Sequence, residues 1–290
     1  MSTSETKKKK KTKVYSEAFP PNSLGSHEKF NPISDTHSLL SSIQIDPTKI
    51  YYKPLSQDNL IEIQNLHKEW FPIDYQKKFF ETILTHQSST YFLTIGAFYK
   101  VDDKELILGS IMVEFQTLSE KFKSHSSDEI LERLSKEISF TDEMNCTMSL
   151  CDYICAYIMT IGVVDECRRM HLGSTLIEKT IEKCLENNLC ICLYLDVVVY
   201  NDMAIKFYRK NHFEEVTTIK NYYHVNGDLY DSKVYVRILT KEEKQEFRRK
   251  HQSLVHKVLY EYLSFPVNCI FWLVSMNLCC KCIRKKHKLD

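Results

Sequence analysis

The sequence has almost no excess of charge and no metal-binding spacing of cysteines. Its 39 basic and 38 acidic side chains leave a formal net charge of +1, so no global field draws the chain to nucleic acid or to an acidic partner. Its eleven cysteines include no CxxC pair that faces a second such pair or a histidine pair at zinc spacing. We therefore expect no nucleic-acid partner and no bound metal.

An apolar stretch is also missing behind the lysine run at residues 7–11, so we expect no secretory signal and a protein body in reducing cytosol. Residues 1–48 carry polar residues without hydrophobic periodicity, which predicts a disordered basic arm. The arm could touch anionic lipid or act as an import signal, or it is a solvated tail. Cys155, Cys190 and Cys192 lie inside apolar runs and are expected to be small buried hydrophobes.

Residues 49–240 have the alternating periodicities of a mixed α/β domain with a twisted central sheet flanked by helices. Asp58 is expected to cap the first helix, and residues 117–152 are polar enough to be an insertion. The apolar run 153–164 predicts a central strand buried on both faces. With the helical pattern at 172–185 and the strand at 190–199, it predicts a parallel strand pair with a right-handed crossover. Strands are also expected at 50–55, 91–99, 106–115, 214–223 and 232–239, and helices at 60–70, 79–84 and 203–210.

The turn from Asp165 to Ser174 joins this central strand to its helix and carries two arginines. A helix N-terminus leaves backbone N–H groups unpaired and adds a partial positive charge, so such a turn can hold a pyrophosphate. Taken alone, a basic turn of this kind is more often a solvated corner.

Two motifs strengthen this interpretation, because in this order they resemble the GNAT superfamily of acetyltransferases. Arg168 and Gly173 fit the first and last positions of its pyrophosphate loop, whereas His171 stands where a glycine is expected; histidine tolerates the left-handed region better than most residues. A second motif follows the next strand at Asn201, Ala204, Phe207 and Tyr208, although Asn201 or Asp202 could simply cap a helix. The resemblance implies acetyl-coenzyme A as cosubstrate. It would be bound by Ile161, Gly162, Val163, Arg168, Arg169, Met170, His171, Leu172, Gly173, Ser174, Asn201 and Tyr208.

A finer resemblance, over about residues 50–240, is to the NatF-type N-alpha-acetyltransferases of the Golgi membrane. It is carried by the string 70–75 (Trp-Phe-Pro-Ile-Asp-Tyr), by Ala156-Tyr157-Ile158 leading into residues 161–164, and by the Tyr222-Tyr223 pair. It implies a cleft for a protein N-terminus and places the pantetheine arm along the backbone of residues 161–163. The residues expected to line the cleft are Phe71, Asp74, Tyr75, Met159, Tyr222 and Tyr223.

The resemblance places Tyr157 as one catalytic base, acting through water. The second base of the family is a histidine, and this chain has Asp196 at that position. A carboxylate is a weaker base than an imidazole. Either Asp196 takes over the role with an altered pH dependence, or it orients a water or the incoming ammonium while Tyr157 is the base.

The pattern of apolar and basic residues over 241–290 predicts an amphipathic segment that associates with a membrane. A helical pattern with one apolar and one basic face is followed by Pro266 and by a run at 267–280 that falls short of the roughly 20 apolar residues of a membrane span. The basic cluster after residue 283 suits an anionic leaflet, and Cys279, Cys280 and Cys282 are candidates for lipidation. A helix docked on the protein's own surface is the alternative.

Together these features predict acetyl transfer to the N-terminal amine of Met-starting proteins at the cytosolic face of a membrane, with the Golgi implied by the resemblance. The expected partners are protein N-termini and, through the tail, a membrane surface. Two alternatives stay open. One is acetylation of lysine or a small amine, and the other is an inactive, membrane-bound protein that only binds acyl-coenzyme A.

Overall fold

The structure is a computed structural model that describes residue 40 and residues 43–72, 75–86, 91–117, 153–225 and 227–251. Most of the predicted arm, nearly all of the predicted insertion and the tail from residue 252 onward lie outside these residues, as does Asp74.

A seven-stranded mixed sheet forms the centre of the fold, with strands in the order β1-β2-β3-β4-β5-β7-β6. All neighbouring strands are antiparallel except β4 and β5, which run parallel as predicted. The strands are β1 (Tyr51–Lys53), β2 (Phe92–Val101), β3 (Lys104–Thr117), β4 (Ile154–Val163), β5 (Cys190–Val198), β6 (Glu214–Val225) and β7 (Asp228–Ile238). The last two are longer than their apolar runs predicted, because they pair as a hairpin that continues past the core.

The α-helices with described bounds before residue 241 are α1 (Leu60–Trp70), α2 (Lys77–Thr85), α3 (Leu172–Glu186) and α4 (Asp202–Lys210). The expectation that Asp58 caps α1 is wrong. Residues Gln57–Asn59 form a short 3-10 helix, and Ser56 and Asn59 exchange hydrogen bonds as a capping box around it. Asn59 then lies at the N-cap of α1.

Helices pack on opposite faces of the sheet, since residues alternate between its two sides. Ile63 of α1 and Phe80 of α2 share one apolar cluster with Leu106 and Met112 of β3. Leu176, Ile177 and Ile181 of α3 share another with Ile111 and Val113 of β3, and Ile205 of α4 belongs to the same cluster. The predicted mixed α/β fold is therefore confirmed.

Strand β4 differs from the expectation of burial on both faces, since Tyr157, Met159 and Ile161–Val163 are only partly buried. Tyr157 is the last residue of β4 that pairs with β5, and Met159 and Ile161–Val163 follow it, so within the described residues no β5 residue pairs with them on that edge. The cysteine prediction is confirmed, because Cys155, Cys190 and Cys192 are buried free thiols. Beyond Thr240 the chain forms a second unit, of which residues 241–251 are described and helical. In the described residues, no helix has the length and apolar character needed to cross a bilayer.

Candidate active site

Strands β4 and β5 separate beside the predicted catalytic residue Tyr157. The two strands pair from Ile154↔Cys190 to Tyr157↔Tyr194, yet β4 continues to Val163 and β5 to Val198. Within the described residues, the edge of β4 over 158–163 has no pairing with β5. An exposed strand edge can bind an extended molecule through backbone hydrogen bonds, which fits the predicted role of residues 161–163.

A β-bulge shapes the same part of β4. Met112 pairs with Thr160 and Val113 with Ile158, so that Met159 is the extra residue. Bulges bend a strand and redirect its side chains, and they are frequent beside active sites. Met159, predicted to line the acceptor cleft, therefore lies where β4 changes direction.

The predicted pyrophosphate loop has two residues in the left-handed backbone region. Arg169 and His171 have φ values of +67° and +63°, so position 171 needs the left-handed conformation for which a glycine is expected. His171 is the N-cap of α3 and makes no capping hydrogen bond with its side chain, which leaves first-turn N–H groups for a ligand. The residues present therefore fit a pyrophosphate.

Some side chains of this loop are exposed, and others pack into the core. Arg168 forms an exposed ion pair with Asp165, 2.7 Å between Nη2 and Oδ1, so it would have to exchange that partner for a phosphate. Leu172 is buried in the core and Met170 packs against it, which leaves their backbone as the part a ligand can reach. A Cβ at Gly173 would come within 3.0 Å of the Phe207 ring, so the glycine permits α3 and α4 to approach closely.

Helix α4 places Asn201 and Tyr208 on the donor side. Asn201 is its N-cap, and Oδ1 accepts a hydrogen bond from Ala204 N at 3.1 Å, which is the capping role recognised from the sequence. The amide group still carries two N–H donors, so capping and cofactor binding are compatible. Burial, followed by the charge of Tyr75, raises the pKa of Tyr208.

Tyr222 contacts Asp196, one of the two predicted catalytic residues, and lies near the other, Tyr157. The Tyr222 hydroxyl donates to Asp196 Oδ2 at 3.2 Å, and both residues act electrostatically on Tyr157. Burial, followed by the negative charge of Asp196, raises the pKa of Tyr157 well above its ordinary value. Tyr157 is therefore a neutral hydroxyl near neutral pH, and as a base it can act only by passing on its own proton.

The acceptor wall is formed by aromatic residues of the α1–α2 connection and of β6. Phe71 and Tyr75 meet edge to face with ring centroids 5.9 Å apart, and burial raises the pKa of Tyr75 to about 12. After burial and the charge of Asp196, electrostatic repulsion from Tyr75 also raises the pKa of Tyr222 and of Tyr223. Tyr75 of the α1–α2 connection therefore lies near enough to Tyr222 and Tyr223 of β6 to interact with them electrostatically.

The sequence analysis did not predict the side chains that pack against Tyr157. Tyr194 is fully buried, stacks on Tyr157 with centroids 4.8 Å apart, and donates a hydrogen bond to Gln116 Oε1. Gln116 Nε2 in turn donates to Glu114 Oε2 at 2.7 Å. A signal existed, because Tyr194 lies two residues before Asp196 on one strand and such residues share a face.

A second missed residue, His67, holds α1 to β4. Its ring is fully buried, with Nδ1 2.8 Å from the carbonyl oxygen of Ile63 and Nε2 3.0 Å from Thr160 Oγ1. These contacts indicate a neutral ring that donates from Nδ1 and accepts at Nε2. Burial lowers its pKa to about 4, although the bond to Ile63 opposes this shift. In the parts of the chain that are described, no group of three or more His, Cys, Asp or Glu residues is arranged to hold a metal.

Comparison with known proteins agrees with this geometry. The sequence profile described as "Acetyltransferase (GNAT) family" matches residues 60–213. The chain is 30% identical over 185 residues to N-alpha-acetyltransferase 60 of Xenopus tropicalis, covering 63% of this chain and 66% of that protein. It is 22% identical over 204 residues to the histone acetyltransferase MCC1 of Arabidopsis thaliana, covering 70% of this chain and 75% of that protein.

A solved structure shares the fold. The crystal structure of Arabidopsis thaliana NAA60 in complex with acetyl-CoA matches with a TM-score of 0.53 and 22% identity, covering 66% of this chain and 98% of that one. At this identity the likeness supports the fold alone.

Proposed function

Because the chain belongs to the acetyltransferase (GNAT) family, with the matching profile spanning residues 60–213, we propose that it acetylates the N-terminal α-amine of Met-starting proteins. As a member of this family, it uses acetyl-coenzyme A as the acetyl donor. The observation that carries the proposal is the position of Tyr157 where the pairing of β4 with β5 ends, near Asp196 of β5, whose Oδ2 accepts a hydrogen bond from Tyr222. The 30% identity to the Xenopus tropicalis N-alpha-acetyltransferase supports the choice of acceptor.

Acetyl-coenzyme A would bind on the α3–α4 side of the gap. The first-turn N–H groups of α3 and the two arginines beside it suit the pyrophosphate, and the free β4 edge at Ile161–Val163 suits the pantetheine arm. The reacting thioester would then lie near Tyr157, where the two strands separate.

The acceptor chemistry favours an α-amine. A terminal α-amine has an ordinary pKa of about 7.7 to 8.0, whereas a lysine amine has one of about 10.4. Removing a proton from lysine is therefore harder by about 2.5 pKa units, and the two predicted catalytic groups are a neutral tyrosine hydroxyl and a carboxylate. The aromatic wall of Phe71, Tyr75 and Tyr223 suits the apolar side chain of an initiator methionine.

The tail adds the membrane part of the proposal. Residues 267–280 are almost wholly apolar and are followed by Arg284, Lys285, Lys286 and Lys288, a combination that suits the interface of an anionic leaflet. An enzyme held there would meet membrane proteins whose N-termini face the cytosol. The Golgi membrane is the proposed location, on the resemblance to the NatF-type enzymes.

Lysine acetylation is the second candidate function, because one relative is a histone acetyltransferase at 22% identity. A two-peptide assay separates the candidates. Purified full-length protein is incubated with acetyl-coenzyme A and either a Met-starting peptide with one internal lysine or the same peptide with a blocked N-terminus. Mass spectrometry then locates the acetyl group.

We expect acetylation of the first peptide at its α-amine and none of the blocked peptide. Acetyl transfer to lysine in both peptides would replace the proposal with lysine acetylation. If calorimetry finds acetyl-coenzyme A binding but neither peptide is modified, the chain is a binding protein and the proposed function is wrong.

A further inference from the structure

Tyr157 has a neighbour of defined structure on each adjoining strand. It pairs with Glu114 of β3 on one side and with Tyr194 of β5 on the other. Directly paired residues share a face of the sheet, so the three side chains stand in a row on one face. The Tyr157 and Tyr194 rings stack there, with centroids 4.8 Å apart and planes inclined by 22°.

Gln116 connects these two neighbours of Tyr157 to each other. The Tyr194 hydroxyl donates to Gln116 Oε1, and Gln116 Nε2 donates to Glu114 Oε2 at 2.7 Å. Gln116 lies on β3 opposite Cys155 of β4, and β4 lies between β3 and β5. The Tyr194 side chain must therefore extend across β4, beside Tyr157, to reach it. The network of Glu114, Gln116 and Tyr194 begins and ends at the two residues that pair with Tyr157.

The donors and acceptors of this network fit together in one order. A carboxylate offers only acceptors, so Gln116 must direct its amide N–H toward Glu114 and its carbonyl oxygen toward Tyr194. That oxygen only accepts, so the Tyr194 hydroxyl must donate. Burial, followed by the electrostatic effect of Cys155 and of Asp196, raises the pKa of Tyr194 well above its ordinary value, which preserves the proton that this bond needs.

Tyr194 is held at both of its ends. Its backbone pairs with β4 and with β7, its ring is fully buried, and its hydroxyl is bound to β3. Tyr157 is only partly buried, as a residue that meets a substrate must be. The fixed ring of Tyr194 therefore supplies a support against which the less enclosed ring of Tyr157 rests.

We propose that Tyr194, held by Gln116 and Glu114, is a positioning residue that fixes the ring and hydroxyl of Tyr157 for acetyl transfer. This inference rests on the proposed function, in which Tyr157 meets the substrate. Tyr194 acts through Tyr157 and not on the reacting atoms. Such a role has physical value, because a reacting group must be held within about 0.5 Å of its productive position by neighbours that are themselves fixed.

Four variants of the full-length protein separate the Tyr194 hydroxyl, the Tyr194 ring and the rest of the network. Tyr194→Phe removes the bond to Gln116 and keeps the ring, whereas Tyr194→Leu removes both. Glu114→Leu removes the acceptor for Gln116, whereas Glu114→Gln keeps an amide oxygen that can accept the same bond. Steady-state kinetics are measured for acetyl-coenzyme A and for whichever amine the wild type acetylates.

Tyr235→Phe is the matched control. Tyr235 is another fully buried tyrosine, and its hydroxyl donates to Glu215 Oε2 at 3.0 Å. It belongs to the apolar cluster on the α3 side of the sheet, away from the face that carries Tyr157. Loss of its hydroxyl should lower the melting temperature, as in Tyr194→Phe, and leave kcat unchanged.

For Tyr194→Phe we expect kcat to fall about tenfold while both KM values stay within about twofold, since a misplacement of about 1 Å can reduce a rate by about 10²-fold. Tyr194→Leu should approach that larger loss, because the ring is then absent as well. Glu114→Leu should resemble Tyr194→Phe, and Glu114→Gln should recover most of the lost rate. That recovery would identify the hydrogen bond to Gln116, rather than the charge of Glu114, as the cause.

Fluorine NMR supplies a readout that needs no turnover. A fluorinated tyrosine is placed at position 157, where its chemical shift reports the surroundings of that ring. The signal should move in Tyr194→Phe and in Gln116→Leu and stay in place in Tyr235→Phe. If the wild type acetylates no peptide, the proposed function fails, and this measurement still decides whether the network positions Tyr157.

An unchanged kcat in Tyr194→Phe would overturn the proposal, and so would a rise of one KM alone, which would make Tyr194 part of a binding surface. Equal falls of kcat in Tyr194→Phe and Tyr235→Phe would assign the effect to a general loss of stability. Glu114→Gln as slow as Glu114→Leu would refute the hydrogen-bonded network as the cause. A fluorine signal that does not move in Gln116→Leu would refute it whichever acceptor the enzyme uses.

Discussion

The indole ring of Trp70 lies directly against the backbone of Gly162. A Cβ at position 162 would stand 2.1 Å from Cε3 and 2.5 Å from Cδ2 of Trp70, closer than any real contact. The end of α1 is thereby fixed on the part of β4 that is proposed to bind the pantetheine arm. Trp70 Nε1 is also buried without a hydrogen-bond partner among the described residues, so close packing accounts for this contact.

Gly162→Ala should therefore destabilise the protein by about 1–3 kcal/mol, the range for overpacking a closed site. A urea titration of the wild type and the variant measures the change. Trp70→Leu supplies the control, because a smaller side chain leaves room for the new methyl group. If Gly162→Ala lowers the free energy of unfolding as much in the Trp70→Leu background as in the wild type, contact with the Trp70 ring is not the cause of the destabilisation.

The strands and helices were predictable because their apolar periodicities are strong. The buried run of β5 and the helical spacing of α3 both appear in the structure within one residue or so of their expected ends. The partial burial of the second half of β4 was not predictable from its apolar composition. It depends on where β5 stops pairing with it, which is a tertiary property that no local pattern contains.

Site residues that belong to a local sequence motif could be predicted. Contacts between residues of different strands could not. The loop motif has a glycine at the position of His171, which is typical of a positive φ, and His171 has φ +63°. The bond between Tyr222 and Asp196 joins residues 26 positions apart through a bulge in β6. Sequence spacing cannot give the direction of a bulge, so Tyr222 was expected only to line the cleft.

His67 predicts an acid sensitivity of the fold. Its pKa is about 4 in the folded protein, against an ordinary value of about 6.5 in an unfolded chain. Between these values the unfolded state binds one more proton than the folded state, so the free energy of unfolding falls as the pH falls. From pH 7 to pH 4 this one residue should remove about 3 kcal/mol of stability.

Urea titrations between pH 7 and pH 4 test this dependence. His67→Gln has no group that titrates in this range, so its stability should be lower at pH 7 but should fall less steeply with acid. His86→Gln is the control, since His86 is an exposed histidine whose ring nitrogen also contacts a carbonyl one turn earlier in its helix. An identical pH slope for His67→Gln and the wild type would show that His67 does not titrate as described.

Position 171 should tolerate glycine and reject β-branched residues. His171 has φ +63°, which glycine adopts freely and valine adopts only at a cost of about 1–2 kcal/mol. If backbone N–H groups hold the pyrophosphate, His171→Gly should keep the Kd for acetyl-coenzyme A within about threefold, since threefold is about 0.7 kcal/mol. His171→Val should weaken binding by about tenfold, which corresponds to about 1.4 kcal/mol.

Isothermal titration calorimetry with acetyl-coenzyme A measures both constants without any need for turnover. Melting curves of the free proteins show whether each variant is folded. Equal weakening by glycine and by valine would mean that the imidazole itself contacts the ligand, and the backbone account of the loop would then fail.

Removing the tail after Thr240 should release the protein from membranes and leave the catalytic fold intact. The described sheet is complete before that point, since β7 ends at Ile238 and the N–H of buried Leu239 donates to Ile191 O at 2.9 Å. Flotation with liposomes that contain anionic lipid, at matched protein concentration, compares the full-length and truncated chains. Circular dichroism confirms that the truncated chain is folded.

Two full-length variants then distinguish apolar insertion from charge attraction. Replacing Phe271, Trp272 and Leu273 with Glu should abolish flotation, because buried apolar area supplies most of the binding and charged groups cannot follow it into the acyl region. Replacing Arg284, Lys285, Lys286 and Lys288 with Gln should weaken binding by up to about 1 kcal/mol per residue, and added salt should have the same effect on the wild type. If the full-length protein stays in the soluble fraction, or if truncation unfolds the domain, the tail belongs to the folded body and the membrane proposal is wrong.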